Sequence, residues 1–297
     1  MRATCRRSGR RFAGALLALA VGCGGQQSAE LTSAARVDRA PTYLALGDSV
    51  AFGLDPGLVP ELPFSCFSCG TFTSAVPPRN DNVFVGYPEY LRQRLGIPLE
   101  NASCPGETTA SFAAPVRTGQ AAICAEFKEQ DWLHTSYDGT QRSYALDFLE
   151  RHPRVELVTL ELGANDVLDL VAACGGDPTC VNAGIGGVLL TVHANVSEIL
   201  SAIRSSGYEG PIVMPAYYAP SPEWTELVSA LNSYLGLAAS GFGAVPFDLQ
   251  TLFGSDPCGA GLLIPLDPLD PGAGCDFHPS EAGARLIATA IASAIGR

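Results

Sequence analysis

Short apolar runs rich in β-branched residues alternate along the chain with longer stretches in which apolar residues recur every three or four positions. Residues 42–46 are a continuous apolar run that follows Pro41 and stops at Gly47, which predicts a buried strand. Residues 87–96 combine an early proline, leucines four apart and a final glycine, so a short helix is expected there. Residues 97–102 read as a second strand running into a turn at Pro105 and Gly106. Residues 111–139 are weakly patterned, and residues 141–151 carry helical spacing through Tyr144, Leu146, Phe148 and Leu149.

The strongest strand signal lies at residues 155–163, ending in Gly163-Ala-Asn-Asp166. A long helix over residues 181–206, a strand over 211–217, a helix over 222–239, a strand over 244–249 and a closing helix over 280–295 complete the series. Strands alternating with helices predict an α/β fold with a mostly parallel sheet covered on both faces and right-handed crossovers. The sequence shows no internal repeat.

The two ends of this pattern differ in kind. Residues 1–12 carry five arginines and no acid, residues 13–22 are apolar, and Cys23 follows small residues, so residues 1–22 read as a signal peptide. The apolar stretch is too short to cross a bilayer, which takes about 20 residues. Ala20-Val-Gly-Cys23 resembles a bacterial lipobox, which would leave Cys23 lipid-modified. The alternative is a soluble secreted chain cut near Ala29 or Ala35. Residues 23–40 are small and polar and read as a flexible tether to a single domain at residues 41–297. The long proline-rich connection over residues 54–83 reads either as a lid over a cleft or as a pinned surface insertion.

Charge narrows the partners. The first 22 residues hold five of the 18 basic residues and none of the 30 acidic ones, leaving 13 basic against 30 acidic. A surface this acidic repels phosphate backbones and anionic lipid, so nucleic acid is not expected and neutral substrates are favoured. Without Cys5 and Cys23 there remain eight cysteines, an even set that in an exported chain predicts disulfides. Neighbours along the chain suggest Cys66 with Cys69, Cys104 with Cys124, Cys174 with Cys180, and Cys258 with Cys275. The gap in Cys66-Phe-Ser-Cys69 is shared with redox and zinc motifs, but no second such pair lies nearby and no metal is expected.

The candidate chemistry sits where strands end. Ser49 follows the first strand, Gly106 the second and Asn165 the third, and His278 precedes the last helix. Parallel strands bring such ends to one rim, where ligands of open α/β sheets bind. Acyl transfer needs a nucleophilic hydroxyl, a base and fixed donors for a tetrahedral oxyanion. Ser49 and His278 supply the first two, and the amides of Ser49 and Gly106 with the Asn165 side chain supply the donors. Each also has an ordinary reading: helix capping for Asn165 and Asp166, a turn for Gly106 and a loop position for His278. Glu161 is expected to point outward or to be ion-paired, and His134, His152 and His193 to be structural. The acidic stretch 267–276 reads as a surface turn, since it lacks the spacing of a calcium loop.

Gly47-Asp-Ser49, Gly106 within Asn101-Ala-Ser-Cys-Pro-Gly106, Gly163-Ala-Asn-Asp166 and His278-Pro-Ser280 resemble, in order and spacing, the four blocks of the SGNH (GDSL) hydrolases over residues 42–297. The resemblance implies a three-layer α/β/α sandwich with a five-stranded flavodoxin-like sheet, no cofactor or metal, and hydrolysis of esters of lipids, sugars or small alcohols. The cysteines near the later blocks are most similar to those of disulfide-bearing extracellular esterases and lipases of that family. One position departs from it: the aspartate usual three residues before the histidine is Cys275 here, and Asp276 stands two before His278. Either Asp276 orients the imidazole, or a backbone carbonyl near Cys275 does so in a Ser-His dyad, the arrangement we favour from sequence because a disulfide would hold that carbonyl. The expectation is an exported, monomeric serine esterase or lipase that meets membranes only through a lipid on Cys23. A carbohydrate acetyl esterase and a non-catalytic binding lipoprotein are the alternatives.

Overall fold

The computed structural model describes residues 40–59 and 83–297. The signal peptide, Cys23, all of the tether but Ala40, the Cys66 and Cys69 pair and most of the long connection lie outside the described residues. The elements run β1 (Thr42–Gly47), α1 (Ser49–Phe52), α2 (Tyr87–Leu95), β2 (Leu99–Asn101), α3 (Thr109–Ala113), α4 (Ala121–Glu129), α5 (Gln141–Arg151), β3 (Val155–Glu161), α6 (Ala164–Ala173) and α7 (Pro178–Ser205). There follow β4 (Ile212–Pro215), α8 (Thr225–Gly241), β5 (Val245–Phe247), α9 (Leu249–Phe253), β6 (Leu263–Pro265), β7 (Cys275–Pro279) and α10 (Glu281–Ala294).

The five-stranded sheet has the order β2-β1-β3-β4-β5, with every pairing parallel. This is the flavodoxin-like order, and the strand sequence reverses between β1 and β3. Strand side chains alternate between faces, and two cores result. Leu44, Leu46, Val158, Leu160, Ile212 and Met214 pack with α5, α7 and α8 on one face. Tyr43, Ala45, Leu157 and Val213 pack with α2, α9 and α10 on the other. A sheet buried on both faces explains why β1 and β3 are nearly continuous apolar runs.

Two features depart from the sequence expectation. Residues 111–139 contain the end of α3 and all of α4, whose Phe127 packs with Phe52, Phe84 and Trp132 in a third cluster. The acidic stretch 267–276, read as a surface turn, connects β6 to β7, an antiparallel pair not expected from the sequence. Three of the expected disulfides form: Cys104–Cys124, Cys174–Cys180 and Cys258–Cys275.

Candidate active site

The site is assembled at the carboxyl ends of β1, β2, β3 and β4, on the switch point between β1 and β3. Gly47 closes β1 with φ +141°, and a Cβ there would lie 2.3 Å from the Glu161 carbonyl oxygen, so only glycine fits. Asp48 caps α1 by accepting from the Val50 amide. Ser49 is thereby the first helical residue, where the backbone N–H has no acceptor within the helix.

The base comes from the short hairpin. On a strand, residues two apart share a face, and β7 turns both Asp276 and His278 inward. Asp276 Oδ1 accepts from the His278 amide at 2.9 Å and from Nδ1 at 2.5 Å. Nε2 accepts from Ser49 Oγ at 2.9 Å. With its proton on Nδ1, the imidazole presents a lone pair to the serine. The backbone-carbonyl dyad favoured from sequence is therefore corrected. A spacing of two suffices because strand periodicity, together with the local bond from the His278 amide, aims the carboxylate at the ring. The hairpin is anchored by Cys258–Cys275, by Tyr218, whose hydroxyl donates to the Phe277 carbonyl at 2.7 Å, and by Ser280 at the start of α10.

The donor side is equally fixed. Cys104 to Glu107 form a turn closed by the Glu107 amide on the Cys104 carbonyl at 3.1 Å, with Gly106 at φ +79°. A Cβ on Gly106 would stand 2.3 Å from the Gln120 carbonyl, just ahead of α4, whose Cys124 is disulfide-bonded to Cys104. Asn165 Nδ2 donates to the Glu107 carbonyl at 2.9 Å and has a second hydrogen to give. Since the Cys104 amide donates to the Gly47 carbonyl at 3.0 Å, the turns carrying Ser49, Gly106 and Asn165 are tied to one another. Ser49, Asn165, Asp276 and His278 are all buried.

Gln141, Ser111 and Tyr217, which carry no sequence signal, complete the support together with Asp48 and Asp166 of the motif blocks. Gln141 accepts from the Gly47 amide at 2.6 Å and donates to the Gly47 carbonyl and to Glu107, each at 3.0 Å. Ser111 donates to Glu107 Oε1 at 2.5 Å, and Tyr217 donates to Asp48 Oδ2 at 2.6 Å. Asp166 accepts from the Thr109 amide and hydroxyl, which ties α6 to α3. Burial raises the Asp48 carboxyl to about 6 against the lowering pull of Tyr217 and Val50, and raises Asp166 to about 6 as well.

Glu161 is corrected: it is fully buried rather than outward or paired, and neither carboxylate oxygen has a hydrogen-bond partner among the described residues. Burial and the nearby Asp48 push its pKa well above the ordinary value. His134, His152 and His193 make packing and backbone contacts: His134 Nε2 bonds the Phe52 carbonyl, His152 Nδ1 the Phe148 carbonyl, and His193 packs edge-on to Tyr234. Cys104, Glu107 and Cys124 cluster closely, but both sulfurs are in a disulfide and offer no thiolate to a metal.

The model of the GDSL-like lipase/acylhydrolase family matches residues 45–286. Phospholipase A1 from Streptomyces albidoflavus NA297 is 17% identical, over 86% of this chain and 99% of its own, with a TM-score of 0.52. The extracellular lipase from Streptomyces rimosus is 16% identical over 84% and 100%, TM-score 0.49, and the aryl esterase of M. smegmatis 18% over 86% and 98%, TM-score 0.48. At 17% identity the likeness to the phospholipase shows the fold alone. No curated protein sequence matches the chain.

Proposed function

Because the chain belongs to the GDSL-like lipase/acylhydrolase family, we propose that it hydrolyses carboxylic esters through an acyl-enzyme on Ser49. Ser49 Oγ attacks the carbonyl carbon as its proton passes to His278 Nε2. The oxyanion is held by the amides of Ser49 and Gly106 and by Asn165 Nδ2. Collapse breaks the bond to the alcohol oxygen, which takes the proton from Nε2. Water, deprotonated by His278, then attacks the acyl-serine and releases the acid. Asp276 keeps the proton on Nδ1 and stabilises the imidazolium that forms.

The observation that carries this proposal is the unbroken line of hydrogen bonds from Asp276 through His278 to Ser49, on three residues far apart in sequence. The test is hydrolysis of p-nitrophenyl esters by the chain beginning after Cys23, with Ser49→Ala alongside. Activity in the first and none in the second is expected, and equal activity in both would refute it.

The same proposal places the protein outside the cytoplasm as a monomer acting on neutral or lipid esters, attached to a membrane through Cys23. Three disulfides support export. The mass of the mature N-terminus separates a lipid-modified Cys23 from cleavage near Ala29 or Ala35.

A further inference from the structure

An apolar pocket of about 100 Å³ opens directly beside Ser49. Its walls are Val167 and Leu168 on α6, Leu227 and Leu231 on α8, Trp224 ahead of α8, and Phe277 on β7. The polar side chains that line it are largely paired already, the second Asn165 hydrogen excepted. Tyr217 donates to Asp48, Tyr218 donates to the Phe277 carbonyl, and Asn165 donates to the Glu107 carbonyl. The one donor left to a sugar hydroxyl entering this space is the second Asn165 hydrogen, which the oxyanion takes, whereas a methylene group gains from burial.

Resting on the serine mechanism above, we propose that this pocket holds the acyl chain of the substrate and selects medium-length aliphatic acyl groups over acetyl. His278 must hand its proton to the alcohol oxygen, so the alcohol departs past the imidazole. The imidazole is not part of this pocket's wall, although its neighbour Phe277 is. The carbonyl carbon is held at Ser49, and the remainder of the acyl group extends between α6 and α8. From Ala164 to Leu168 and from Leu227 to Leu231 each wall runs four residues, about 6 Å of helix, which accommodates roughly five further carbons. A six-carbon acyl group fills it.

The test is kcat/KM for p-nitrophenyl acetate, butyrate, hexanoate and octanoate, with a second series of hexanoate esters in which the alcohol is lengthened. Each methylene that enters the pocket should raise kcat/KM about fourfold, giving roughly 10²-fold between acetate and hexanoate, little gain beyond, and little response to the alcohol. Trp224→Ala should lower kcat/KM for hexanoate about tenfold and lower the hexanoate-to-acetate ratio with it. Leu227→Trp should move the optimum to butyrate or shorter. Circular dichroism confirms that each variant is folded, and because one substitution removes pocket wall while the other fills the pocket, Leu227→Trp alone should leave a sharp optimum at shorter chains.

A flat or acetate-first profile, control by alcohol length, or variants that keep the wild-type profile would overturn the assignment. Labelling of Ser49 by a phosphonate separates the two levels. A labelled protein with a flat profile sinks the pocket alone, and an unlabelled protein inactive on every ester sinks both.

Discussion

Replacing Asp276 by asparagine isolates the group that orients the imidazole, where the structure departs from the dyad favoured from sequence. The substitution keeps shape and leaves an oxygen able to accept from the His278 amide, a bond now 2.9 Å long. What changes is the 2.5 Å bond to Nδ1 between two buried side chains. A hydrogen bond to a charged group contributes about 1.5–3 kcal/mol against about 1 for a neutral one, so loss of charge alone should slow turnover roughly tenfold. The larger effect is on the tautomer. The new amide can turn its NH₂ toward Nδ1, placing the ring proton on Nε2, where it faces Ser49 Oγ and blocks proton transfer. In serine proteases that error lowers kcat by about 10⁴. We therefore expect Asp276→Asn to lose between about 10³ and 10⁴ in kcat on a p-nitrophenyl ester. KM should stay near wild type, and the melting temperature should change little because the backbone bond persists. A variant retaining more than a tenth of wild-type kcat would show that another group, such as a carbonyl near Cys275, orients the imidazole.

Other consequences are as direct. Asn165→Ala removes one of three oxyanion donors and should cost about 10² to 10³ in kcat, and activity equal to wild type would remove Asn165 from the site. Gly47→Ala forces a Cβ to within 2.3 Å of the Glu161 carbonyl at φ +141°, so unfolding measurements should show a loss of roughly 2–5 kcal/mol, and an unchanged midpoint would contradict the packing described. Asp48 has a folded pKa of about 6, above its ordinary 3.8, so the native state binds the extra proton between those values and stability should fall as pH rises from about 4 to 6. Glu161, raised by burial and by the nearby Asp48, acts in the same direction. Thermal melts across that range should show a smaller decline for Asp48→Asn than for wild type, and equal slopes would contradict the assignment.

Much of the architecture is readable from periodicity, because β1 and β3 are buried on both faces and appear as plain apolar runs ended by glycine. The hairpin that carries His278 is not readable. In Cys275-Asp-Phe-His-Pro279 the inward positions are the polar Asp276 and His278, and the more accessible ones include Phe277. That inverts the pattern by which a half-buried strand is recognised. The helix α4 is short and has no side-chain cap, and it is secured by a disulfide and an aromatic cluster that only the folded chain brings together. Glu161 misleads for a related reason. A charge in a strand suggests a solvated face, but a sheet covered on both sides has none. Gln141, which braces the turn at Gly47, looks like any polar residue at the start of a helix. The motif residues stand out because chemistry limits which side chains can serve, whereas the residues that position them are interchangeable in sequence and identified only by contact.

The most direct test of the account is the intact mass of the protein after exposure to a serine-directed phosphonate, with the adduct mapped by peptide analysis. The account predicts a single adduct on Ser49, absent in Ser49→Ala and formed far more slowly in His278→Ala. An adduct elsewhere, or ester hydrolysis that persists in Ser49→Ala, would contradict it.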